Sequence, residues 1–200
     1  MVIGAALTVT LSGAAAWPRD DDGPGCGRAG GSSTTAPAPG GPMASMMVGD
    51  EAGYLAAMVP HHEEAIRAAT ELARSDRPEM RELGEAVVRT QTAEVEQMRR
   101  WLDRWYPDQP AVDYEPMMRD LSRLSGDALD EAFLRDMIGH HMMAVMMSQQ
   151  LVRRDLAEHP EVEPFAIEIR DQQRAEMQQM RKWLQSWFDV SVRHPGRMHR

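Results

Sequence analysis

The sequence predicts an all-α protein, a four-helix bundle made of two repeated helix hairpins. Three observations carry that prediction. Tyr54-Leu55-Ala56-Ala57-Met58-Val59-Pro60-His61-His62 matches Phe133-Leu134-Arg135-Asp136-Met137-Ile138-Gly139-His140-His141, 79 residues later. Gln91-x-x-Glu94-x-x-x-Met98-x-x-Trp101-Leu102 matches Gln173-x-x-Glu176-x-x-x-Met180-x-x-Trp183-Leu184, 82 residues later, and Trp105 and Trp187 extend the match. Apolar residues recur at spacings of three and four, and the period-two alternation of a strand is scarce.

The helices follow in order. The first spans about Asp50 to Arg74, and Ser75-Asp76-Arg77-Pro78 breaks it and opens the second. The second ends near Tyr106, where Pro107 cannot continue it. Residues 107–125 join the halves, with a short helical turn expected around Met117–Leu124. The third begins at the Ser125-Gly126-Asp127 cap region and runs to His159-Pro160, and the fourth covers about Pro164 to Phe188. The change of offset from 79 to 82 places a three-residue length difference near the hairpin turn. The bundle domain is expected over 43–190, with repeats at about 50–106 and 127–188, related by an approximate two-fold axis.

Flanking segments read differently. Residues 2–16 are uncharged and apolar or small, and end in Ala14-Ala15-Ala16, a small-x-small cleavage pattern. They are expected to be a signal peptide or N-terminal anchor, although no Lys or Arg precedes them. Residues 17–42 are rich in Gly, Pro, Ser and Thr and are expected to form a flexible tether that could hold the chain to a membrane. The single cysteine, Cys26, excludes an internal disulfide framework and a cysteine-rich metal site. Cys26 as a lipid anchor is disfavoured, because Gly23-Pro24-Gly25 lacks the expected aliphatic residue. Residues 191–200, with His194, Met198 and His199, are expected to be a disordered tail. The net charge of −9 argues against nucleic acid as a partner, since phosphate binding needs clustered cations.

The chemistry lies on two helical faces. Tyr54, Met58, His61, Ala65 and Leu72 form one stripe, and Phe133, Met137, His140, Ala144, Met147 and Leu151 form its counterpart. His62 and His141 lie ~100° round from their neighbours. Met58 borders both His61 and His62, and Met137 borders His140 and His141. On the second and fourth helices a Gln and a Glu fall inside the core-facing stripe: Gln91 and Glu94, Gln173 and Glu176. A carboxylate there needs a partner, and the facing histidines are the obvious ones.

Ligand softness points to a metal. Imidazole suits copper, zinc, iron and nickel, and thioether selects soft ions such as Cu(I). Di-iron bundles carry Glu-x-x-His on inward faces; here Met-x-x-His stands at that spacing. A thioether in place of a carboxylate shifts the preference from iron towards Cu(I) or Ag(I). Met142, Met143, Met146 and Met147 add soft donors beside His140 and His141, and the chain has 17 methionines in all. Glu94 and Glu176 then serve to orient imidazole rings, with Gln91 and Gln173 beside them, or ligate directly.

The Met-x-x-His-His-x-x-Ala segments at 58–65 and 137–144 resemble the signature of the domain of unknown function 305 family, and the Gln-x-x-Glu-x-x-x-Met-x-x-Trp-Leu segments resemble its second helix. The likeness covers about residues 46–188. It implies a ferritin-like fold and, from some exported members, copper handling by His61, His62, His140, His141, Met58, Met137, Met98 and Met180. One departure is Glu63-Glu64 after the first histidine pair, where the second has Met142-Met143.

Plainer readings stand beside these. A methionine stripe also serves as adaptable core filler, which fits Met98, Met177 and Met180 equally well. Glu63-Glu64 and Arg99-Arg100 read as solvated faces, and the tryptophans as hairpin core. Three functions follow: an exported protein that sequesters or carries copper, a ferritin-like redox enzyme, or a structural or signalling module. Against the enzyme stands the lack of paired Glu-x-x-His motifs, and no nucleophile–base pair is legible. Against the module stands the cost of duplicated polar residues in core stripes.

Overall fold

A computed structural model describes residues 48–188. Four helices fill that span: α1 (Glu51–Thr70), α2 (Pro78–Trp105), α3 (Gly126–Arg153) and α4 (Val162–Phe188), with a single 3-10 turn, Glu71–Arg74, closing α1. Among the described residues there is no strand. No helix among them is long and apolar enough to cross a membrane. The segments expected to be a leader, a tether with Cys26, and a tail with His194, Met198 and His199 lie outside the described residues.

Local chemistry sets the helix ends. Asp50 caps α1 by accepting the Gly53 N–H at 2.7 Å. Pro78 starts α2 where a missing N–H costs nothing. Ser125 precedes α3 but its hydroxyl makes no cap hydrogen bond. α3 ends at Arg153, earlier than the expected His159-Pro160. Asp155 turns to a left-handed φ of 52°, which no helix continues, and the Leu156 N–H closes back on the Leu151 carbonyl at 3.0 Å. The helical turn expected at 117–124 does not form; only a bend at Met118 and a turn at Ser122–Arg123 occur. Its polar groups are bonded elsewhere, to Glu64 and Asp136.

Each hairpin packs its own helices together, α1 on α2 and α3 on α4, and the hairpins meet chiefly through α1 and α3. Gly84 of α2 allows one close approach: a Cβ there would lie 2.7 Å from the Ala69 carbonyl oxygen.

Two apolar clusters make the core. One holds Ala65, Leu72, Met80, Phe133, Met137 and Met180; the other holds Tyr54, Met58, Met98, Met147, Leu151 and Ile169. Among the buried residues of each helix the crossover from one cluster to the other falls at the polar positions, except that Val145 of α3 stays with the first cluster beyond its histidine pair. His61 and His62 divide them on α1, Gln91 on α2, His140 and His141 on α3, and Gln173 on α4. A buried polar layer thus crosses the bundle at mid-height.

The outer ends are tied by contacts matched between the halves. Glu51, fully buried at the start of α1, accepts from the Glu158 and His159 N–H groups, His159 Nδ1 at 2.7 Å and the Tyr106 hydroxyl at 3.0 Å. Trp105 stacks on the His159 ring with centroids 3.7 Å apart. At the matching positions Asp130 accepts from Arg77 at 2.7 Å, and the Arg77 guanidinium lies 4.9 Å over Trp187. Each hairpin's turn is therefore gripped by the other hairpin's leading acid.

Candidate metal centre

His61, His62, His140 and His141 are all at most 1% exposed. Helical spacing puts each pair on the inward arc of its helix, and the α1–α3 contact brings the pairs together. The rings of His61 and His140 stack with centroids 3.7 Å apart and planes 30° from parallel. His61 Nε2–H donates to the His140 carbonyl at 3.1 Å. His140 Nε2 lies 3.2 Å from Glu64 Oε2. The Tyr54 and Ser148 hydroxyls bond at 3.0 Å, a second buried polar tie between α1 and α3.

The facing carboxylates meet the outer histidine of each pair. His141 Nε2–H donates to Glu176 Oε2 at 2.7 Å, and Gln172 supports that carboxylate at 3.1 Å. His62 Nε2 is 3.0 Å from Glu94 Oε2, but the approach is off the hydrogen-bond direction, and both its ring nitrogens lack a hydrogen bond. The two halves thus share a residue plan but not a bonding pattern.

Electrostatics keep the inner rings neutral. Burial, reinforced by the neighbouring histidines, pushes His61 well below its ordinary 6.5. Burial also lowers His140 and outweighs the contrary pull of Glu64. Glu64 itself is resisted by burial, but hydrogen bonds from His140, Tyr114 and the Met118 N–H prevail and hold it at about 2. Burial opposes ionisation of Glu176 too, and its bond with His141 overcomes this and lowers it. A neutral imidazole that donates through Nε2 leaves Nδ1 as a lone pair. The Nδ1 atoms of all four histidines are buried without a hydrogen-bond partner. Nitrogen donors oriented by a carboxylate or a carbonyl on the far side of the ring are the arrangement metal-binding histidines use.

Met58, Met98, Met137 and Met180 are fully buried in the two apolar clusters, and Met147 is nearly so. Met143 is half-buried. Gln91 and Gln173 are buried in the polar layer with side-chain atoms unpartnered. No group of three or more His, Cys, Asp or Glu among the described residues is arranged to hold an ion. An ion bound among these side chains would draw on thioether sulfur to complete its shell, which fits a soft ion.

Glu64 corrects the expectation of a solvated Glu63-Glu64 face. It is 4% exposed, and it receives the Met117 and Met118 N–H groups at 2.8 and 2.9 Å and the Tyr114 hydroxyl. Its neighbour Glu63 does sit towards solvent, paired with Arg99. Glu64 lies three residues after His61, so helical spacing alone places it beside that ring. Tyr114 and Met117 had no comparable signal, because the connector that carries them has no periodicity.

The family model described as "Domain of unknown function (DUF305)" matches residues 51–184 and, in a second match, 130–199. Among solved structures, CopM in its Cu(I)-bound form is 32% identical, with a TM-score of 0.62, covering 70% of this chain and 98% of that one. CopM also matches in Ag-bound and Cu(II)-bound forms. A DUF305 fragment from Deinococcus radiodurans is 30% identical, with a TM-score of 0.58, covering 68% of this chain and 96% of that one. No curated protein matches significantly. With the family model matching across all four helices, the chain belongs to the DUF305 family.

Proposed function

We propose that this protein binds soft copper ions, Cu(I) ahead of Cu(II), and sequesters or carries them outside the cytoplasm. The observation that carries the reading is the set of four buried histidines with free Nδ1 atoms, in a chain rich in thioethers. Copper and silver in the solved forms of CopM support it. The Met-x-x-His-His helices supply the ligands: imidazole from His61, His62, His140 and His141, and sulfur from the methionines around them. Glu176, and Glu94 less directly, orient rings rather than ligate, since each carboxylate lies on the Nε2 side. Export rests on the leader-like residues 2–16.

Titration of the purified chain with Cu(I), Ag(I), Cu(II), Zn(II) and Fe(II), followed by desalting and metal analysis, tests this. Cu(I) and Ag(I) are expected to be retained and Zn(II) and Fe(II) lost. Replacing His61, His62, His140 and His141 by Ala should abolish most retention. Undiminished Cu(I) binding by that variant at pH 7 would make the histidines core residues and end the reading.

A further inference from the structure

A cavity of about 80 Å³ opens beside His61, bounded by α1, α3 and the connector. A single water needs only ~10–15 Å³, so there is room for an ion. Four side chains with donor atoms for soft metal line it: His61 from α1, Met143 and Met147 from α3, and Met117 from the connector. We propose that this cavity is a soft-metal site, and that Cu(I) or Ag(I) is bound there by His61, Met143, Met147 and Met117. The inference rests on the copper-binding reading and says where an ion sits first.

Five observations support it. His61 Nε2 is committed to the His140 carbonyl, so the ring's remaining donor is Nδ1, buried and without a partner. Such an atom is costly to maintain unless something uses it. The three thioethers grade from solvent to interior: Met117 is 43% exposed, Met143 half-buried and Met147 3% exposed. An ion could therefore exchange water for sulfur in steps. Met147 belongs to the same apolar cluster as Met58 and Met98, but it lines the cavity, whereas Met58, Met98, Met137 and Met180 do not. The segment that brings Met117 is fixed, because Glu64 takes the Met117 and Met118 N–H groups and the Tyr114 hydroxyl. Glu115, also at the cavity, adds a negative charge that favours a cation.

The ligand set thus joins the first half's histidine to the second half's methionines. Glu64 and Met143 occupy matching positions after the two His-His pairs. One anchors the connector and the other lines the cavity it covers.

The test uses the full chain with 13C-methyl methionine, titrated with Ag(I) and followed by NMR. The first equivalent is expected to shift the methyl signals of Met117, Met143 and Met147 together, leaving Met58, Met98 and Met180 nearly unmoved. Leu is close to Met in volume, so the triple variant Met117→Leu, Met143→Leu, Met147→Leu should keep its fold. It should bind the first Ag(I) at least ~10-fold more weakly, about 1.4 kcal/mol. Met118→Leu, which leaves the cavity lining intact, should bind as the parent does. A first equivalent that bypasses the three methyls, or a folded triple variant with parental affinity, overturns the site. If that variant binds normally while the four-histidine variant does not, the copper reading survives without this cavity. If both bind normally, both fail.

Discussion

The imidazoles of His61 and His140, matched positions in the two halves, lie face to face where α1 meets α3, 3.7 Å between centroids. Two cations cannot share that contact, and burial pushes both rings below the ordinary histidine range. An unperturbed histidine site would lose metal as pH falls through ~6.5. Here, ligation by His61 and His140 is expected to persist at pH 6 and to fail only at lower pH. Imidazole NMR of these rings between pH 7.5 and 5, with Ag(I) affinity measured in parallel, checks this. Protonation of His61 near 6.5 would contradict it.

The same shifts govern stability. A histidine held neutral takes up its proton in the unfolded chain first, so unfolding gains on folding as pH drops below 6.5. Glu64 acts lower down: its contribution is complete above 4.5 and is lost as pH falls towards about 2. Urea unfolding of the metal-free protein should therefore weaken in two stages. Glu64→Gln should lower stability at pH 7 and shrink the acid-side stage; an unchanged profile would mean that the carboxylate is not tied as described.

The two end contacts should differ in strength. Glu51 collects four hydrogen bonds, whereas Asp130 has its Oδ2 on Arg77 and its Oδ1 unpartnered. Glu51→Ala is expected to cost about 3 kcal/mol and Asp130→Ala about 1–2 kcal/mol. Chemical denaturation of the two variants side by side would settle the order. Equal losses would show that the extra bonds to Glu51 contribute nothing.

Gly84 admits no side chain without movement of backbone. A methyl there meets the Ala69 carbonyl at 2.7 Å and the Leu72 Cβ at 2.9 Å. Gly84→Ala should destabilise by about 1–3 kcal/mol despite the better helix propensity of alanine. A raised melting temperature would show that α1 and α2 can separate freely at that point.

Much of this molecule is legible in its sequence. The matched Met-x-x-His-His and Gln-x-x-Glu segments mark four helices, and the stripe positions Met58, His61, Met137 and His140 are all buried. Pairing of His141 with Glu176 follows from the need of a core carboxylate for a partner. What the sequence hides is long-range and single-copy. Asp155 ends α3 through a backbone conformation that its identity does not announce. Glu64 looks like half of a charged surface pair until the connector folds over it. His159, in a Pro-containing turn, gives no hint that it faces an acid 108 residues earlier.

The connector is the one described segment without a counterpart in the other half. Two identical hairpins associating as a pair would offer two equal histidine sites. Joining them through one covalent segment makes equality unattainable, because that segment can lie over only one face. Fusion of the halves is therefore itself a source of division of labour: one copy keeps a carboxylate to seat the join, and the other is free to spend the same position on sulfur.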